Sequence, residues 1–196
     1  MSIFSLDHWP LLFVSAAMIV AAVIDGWKLK VPNWLTYPLV LGGWAFALCH
    51  NFGWLEGSGV GGIGASLLGT LFGFLLLLPV YAIGGMGAGD VKMQMGFGAW
   101  VGAYFGIADG LRVIWWAFAA AVIIGGVIGL GMMIVRRRYR QNLANTREIL
   151  GDLIGAPSVG DVANRAAVRK PRMHLLPYGI PLCLGFVGYL IYLHGF

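Results

Sequence analysis

The chain has 196 residues, of which 59% are hydrophobic and 11% charged. A soluble domain carries about 25% charged residues, so this composition excludes one and implies an integral membrane protein built as a single bundle. The net charge of +5 would suggest nucleic acid as partner in a soluble protein; here the basic residues read as topology markers, and no nucleic-acid partner is expected.

The first apolar run is Trp9 to Ile24, with Trp9 placed to anchor at the interface. No Lys or Arg precedes it, so it lacks the basic n-region of a cleavable signal and is expected to stay in the mature protein. It ends at Asp25. A short basic turn follows, Lys28 to Asn33, in which Pro32 bars a continuous helix and Asn33 is placed to cap the next. The second run spans Trp34 to about His50 and the third Val60 to Ile83. The third carries Gly61, Ala65, Gly69 and Gly73 four residues apart, a smooth stripe for close helix packing. Pro79 is expected to kink it near its end.

A glycine loop, Gly84-Gly85-Met86-Gly87-Ala88-Gly89-Asp90, leads into the fourth run, Val91 to about Ile107. This run repeats the small-residue spacing at Gly98, Gly102 and Gly106. A turn is expected at Asp109 to Arg112, before a fifth run from about Val113 to Val135. Arg136 opens a polar segment to about residue 174 that holds nine Lys or Arg. Leu175 to Phe196 is the sixth run.

Six apolar runs of this length predict an all-α, polytopic membrane protein with about six transmembrane helices, one domain over 1–196 and a basic loop at about 136–174. Twelve basic residues fall after helices one, three and five, and Arg112 alone falls on the other side. The positive-inside rule then puts the twelve in the cytoplasm and both termini on the outer, periplasmic side. Cys49 and Cys183 lie at different depths, about 12 Å apart along the bilayer normal, too far for a disulfide. The four histidines are scattered, so no metal and no cofactor is expected.

In this topology Asp25 ends an inward helix and Asp90 begins an outward one, so both acids meet the cytoplasmic boundary. A charged group at such depth is a functional signal. Two carboxylates in a poorly solvated site share a proton; the charged one then activates water while the protonated one polarises a carbonyl. Helix dipoles assign the charge to Asp90 and the proton to Asp25. Gly85, Gly87 and Gly89 would let an extended substrate approach without side-chain obstruction. Lys28, Lys30 and Lys92 are candidates for contacts to substrate or lipid headgroups, or serve only as topology signals.

Gly87-Ala88-Gly89-Asp90-Val91-Lys92 resembles the GxGDxK signature of type IV prepilin peptidases, membrane aspartic proteases of the GxGD class. Asp25 followed by Lys28, Lys30 and Val31-Pro32-Asn33 resembles the other half of that family's site, 65 residues earlier. Pro177-Tyr178-Gly179-Ile180-Pro181 resembles a Pro-aromatic-Gly element late in many members. The likeness covers essentially the whole chain in helix count, order and spacing.

The resemblance implies an aspartic endopeptidase in the bacterial inner membrane, with Asp25 and Asp90 as its catalytic pair. Its substrate would be a type IV pilin-like precursor (prepilin) that loses a short basic leader at the cytoplasmic face. Longer members carry a cytoplasmic insert with paired CxxC motifs and also methylate the new N-terminus. This chain has neither and resembles the short form of tight-adherence (Flp-type) pilus systems, so N-methyltransferase activity is not expected. Ile24 precedes Asp25, where presenilin-like relatives carry a Tyr. Two competing readings are a general intramembrane protease and a small transporter or assembly scaffold with the acids as proton or cation sites. A transport site belongs near the midplane, often between inverted repeats, whereas both acids here mark one boundary.

Overall fold

The computed structural model describes residues 8–55, 58–82, 85–136 and 178–194, with side chains for all but 133–136 and 194. The described regular elements are all helical: α1 (Trp9–Lys28), α2 (Asn33–Asn51), α3 (Ile63–Ala82), α4 (Ala88–Arg136) and α5 (Gly179–His194). Trp9–Lys28, Ile63–Ala82 and Ala88–Met132 are long and apolar enough to cross a membrane, and Gly179–Leu193 is a shorter apolar helix. Phe13, Ile19, Leu71 and Ile123 lie exposed on the outside, as a lipid-facing surface requires.

α4 is not one rod. Gly106 takes φ 81° and ψ −170°, a region only glycine enters cheaply. Gly102 and Gly110 would be about 12 Å apart in a straight helix. Instead a Cβ on Gly110 would lie 3.1 Å from the Gly102 Cα. The chain therefore doubles back, giving arms 88–105 and 107–136. The turn expected at Asp109 to Arg112 moves to this glycine, and those two residues form an exposed ion pair of 3.3 Å one turn apart on the second arm. Two carbonyls at the end of the first arm are satisfied from outside: the Val60 and Gly61 N–H groups donate to Tyr104 O and Ala103 O, both at 2.9 Å. That pairing keeps Val60 and Gly61 out of α3, which starts three residues later than expected.

α3 runs antiparallel to the first arm, and the two predicted small-residue stripes face each other. A Cβ on Gly69 would strike the Gly98 carbonyl oxygen, one on Gly98 that of Gly69, and one on Gly102 that of Ala65. Ser66 Oγ donates to Ala99 O across the seam at 2.9 Å. α2 runs parallel to the same arm. Trp100 Nε1 donates to Leu39 O at 2.8 Å, and its ring stacks on Phe46 with centroids 5.4 Å apart. α5 packs antiparallel to the second arm, with Gly185 on Ala121 and Pro181 on Gly125. It also reaches the first arm, where Phe186 stacks on Phe97 at 4.4 Å.

Other expectations shift slightly. α2 starts at Asn33 with extended Pro32 before it, so Asn33 is not the cap. α3 continues through Pro79 to Ala82. Cys49 and Cys183 are free thiols. Most of the basic segment expected at 136–174 lies outside the described residues, as do residues 175–177 of the sixth run.

Candidate active site

Asp25 lies in the last turn of α1 and is 3% exposed. The turn closes on Leu29, the one non-glycine residue at positive φ among those described (50°), whose N–H donates to Asp25 O at 2.8 Å. A hydrogen bond also reaches the carboxylate from far along the chain: the Gly179 N–H donates to Asp25 Oδ2 at 2.9 Å. A Cβ on Gly179 would lie 2.9 Å from both Asp25 Cβ and Oδ2, so a glycine is required for α5 to start this close.

Asp90 is the third residue of α4 and is 5% exposed. The Gly87 N–H donates to Asp90 Oδ2 at 3.2 Å. This is the reciprocal half of a capping box, a carboxylate reaching back to the amide that precedes its own helix. The carboxylate thus has a structural task as well. Gly89 also has a packing role: a Cβ there would lie 2.8 Å from Val31 O and 2.9 Å from Val31 Cβ. It brings the start of α4 against the turn after α1.

Both carboxylates stand at the same end of the bundle and each accepts from an amide at the start of a helix. Two helix ends thus act on Asp25. The C-terminus of α1 opposes charge at Asp25, but the N-terminus of α5 favours it. Tyr178, in the turn just before α5, joins the two sides. It lies within reach of the Asp90 charge, while its neighbour Gly179 holds Asp25.

Lys28 and Lys30 are exposed beside Trp27 and Trp34 at this end. Lys92 ties α4 to α2 instead: Nζ donates to Asn33 Oδ1 at 2.9 Å and to Tyr37 OH at 3.0 Å, and sits 4.4 Å from the Tyr37 ring centroid. Among the described residues no three His, Cys, Asp or Glu gather as metal ligands.

The sequence profile of the type IV leader peptidase family matches residues 12–134, a stretch that includes both acids. The chain belongs to this family. It is 26% identical over 136 residues to the prepilin leader peptidase/N-methyltransferase of Aeromonas hydrophila, covering 66% of this chain and 41% of that protein. The protein of the same name from Aeromonas salmonicida strain A449 matches to the same extent. The match thus spans about two fifths of the length of these relatives. No solved structure matches the chain.

Two site features of this family member escape sequence reasoning. Gly179 stood out only through a resemblance, and nothing in the order of residues says that its amide reaches Asp25, 154 positions away. Gln94 gave a weak signal, an amide four residues after an acid inside an apolar run. It is fully buried.

Proposed function

We propose that the chain is an aspartic endopeptidase of the bacterial inner membrane that removes the short basic leader from type IV pilin-like precursors at the cytoplasmic face. The observation that carries the reading is a pair of buried carboxylates at one end of an apolar bundle, each held by an amide at a helix start, in a chain of this family. Six crossings follow when α4 is counted as two through Gly106, with both termini outside. Lys28 and Lys30 then face the cytoplasmic headgroups.

In the proposed reaction Asp25 and Asp90 share one proton. The charged carboxylate takes a proton from water, and the oxygen attacks the scissile carbonyl carbon. The protonated carboxyl gives its proton to the carbonyl oxygen. Collapse of the tetrahedral intermediate breaks the C–N bond as a proton passes to the leaving nitrogen, and the pair is again singly protonated. The shared proton belongs to the pair, because two carboxylates that interact strongly titrate together. Gly85, Gly87 and Gly89 keep the approach to Asp90 clear of side chains, and Gly89 also lets α4 start against Val31. N-methyl transfer, the second activity in the name of the Aeromonas proteins, is not proposed for this chain, which has no CxxC pair.

The test is a processing assay with purified protein and a pilin precursor from the same genome, leader loss being read by gel and mass spectrometry. Wild type is expected to cut, while folded Asp25→Asn and Asp90→Asn lose at least about a thousandfold in rate. A variant that cuts at the wild-type rate removes its acid from the pair. A wild-type protein that cuts no precursor returns the transporter or scaffold reading, to be followed by ion flux.

A further inference from the structure

The first arm of α4 is apolar except at a few positions, and Gln94 is the least expected of them. It is 0% exposed. Neither its Nε2 nor its Oε1 has a hydrogen-bond partner among the described residues. A Leu or Met would fill a similar volume without leaving a donor and an acceptor unpaired, so the amide is costly unless something pairs with it.

Its position says what that is. Gln94 follows Asp90 by four residues, on the same helix face and about 6 Å deeper. Helical side chains lean towards the N-terminus, so its amide lies over the turn that bears Asp90. Gly73 on α3 keeps the opposite side low: a Cβ there would lie 2.8 Å from Gln94 O and 3.3 Å from its Cγ. One turn deeper, Phe97 stacked on Phe186 closes the same face.

We infer that Gln94 is a binding residue for a peptide group of the substrate, one turn deeper than the cleaved bond. The inference rests on the peptidase reading above. An apolar segment entering from the membrane is helical, and its backbone must unwind for a carboxylate pair to reach a peptide bond. Unwinding frees N–H and C=O groups where water is scarce. A primary amide offers one donor and one acceptor side by side, the complement of a freed peptide group.

The test compares wild type with Gln94→Met and Gln94→Leu, measuring kcat, KM and Tm on one precursor. Both variants should keep or raise Tm, because they remove an unpaired amide. Both should raise KM about tenfold, the equivalent of one to two net hydrogen bonds. Precursor binding to folded Asp90→Asn should weaken by a similar factor when Gln94→Met is added, which gives a readout independent of turnover. Wild-type KM and kcat in both variants would overturn the inference and leave the peptidase reading standing. A fall in kcat at unchanged KM and unchanged binding would overturn it too, assigning the amide to water rather than peptide. If wild type cuts nothing, the peptidase reading itself fails, and this inference with it.

Discussion

The seam between α3 and the first arm of α4 and the acid-bearing end of the bundle both depend on glycine, and they use it differently. At the seam Gly69, Gly98 and Gly102 bring backbone against backbone, and the Ser66 hydroxyl ties α3 to a carbonyl of α4. Little there can move, because both sides are main chain. At the acid end Gly179 brings an amide onto the Asp25 carboxylate, and Gly89 brings α4 onto the Val31 turn. There the missing methyl sets where a reactive group sits. Glycine at the seam therefore supports stability, and glycine at the acid end supports geometry.

Substitutions to alanine separate these roles. Gly179→Ala places a methyl against Asp25 and should cut the processing rate about a hundredfold, the usual effect of displacing a reacting group by about 1 Å. Its Tm should move far less than that of a seam variant; a rate near wild type would remove Gly179 from the site. Gly69→Ala or Gly98→Ala meets an opposing carbonyl that cannot turn away, so each should lose about 1–3 kcal/mol of stability. Their folded fraction should still cleave at close to the wild-type rate. Thermal unfolding in detergent, scored beside the activity of the soluble fraction, checks both. Lys92→Met loses the bonds to Asn33 and Tyr37, a half-exposed tie between helices that is expected to contribute under about 1 kcal/mol. If Lys92 serves only as that tie, KM for the precursor stays within twofold. The smallest effect belongs to Gly126→Ala, where a Cβ meets no described residue within 4 Å; it should gain about half a kcal/mol from helix propensity.

Much of the fold was legible because membrane helices announce themselves by length and apolarity, and small residues four apart announce a packing stripe. Both stripes were in view, and they proved to face each other. The reversal between the fourth and fifth runs comes three residues earlier than the charged turn suggests. Charged Asp109 and Arg112 look like a turn, whereas the backbone turns at the last glycine of the stripe, which alone accepts φ 81° with ψ −170°. The sequence points to chemistry at Asp90, and the hydrogen bond from Gly87 adds a capping role that the loop GAGD contains by its spacing. Gly89 has a packing role beside the expected one of clearing the substrate's path, and a local sequence cannot show that Val31 lies against it.

By itself the sequence determined the helices, their order, the two acids, and the side of the chain that is basic, since these depend on composition and on neighbours within a turn or two. Only the tertiary structure decided that the start of α5 holds Asp25, that Tyr178 comes within reach of the Asp90 charge, and that Gln94 is buried with an amide unpaired among the described residues. These depend on contacts between residues far apart in the chain, set by how whole helices pack, and no short pattern of residues encodes them.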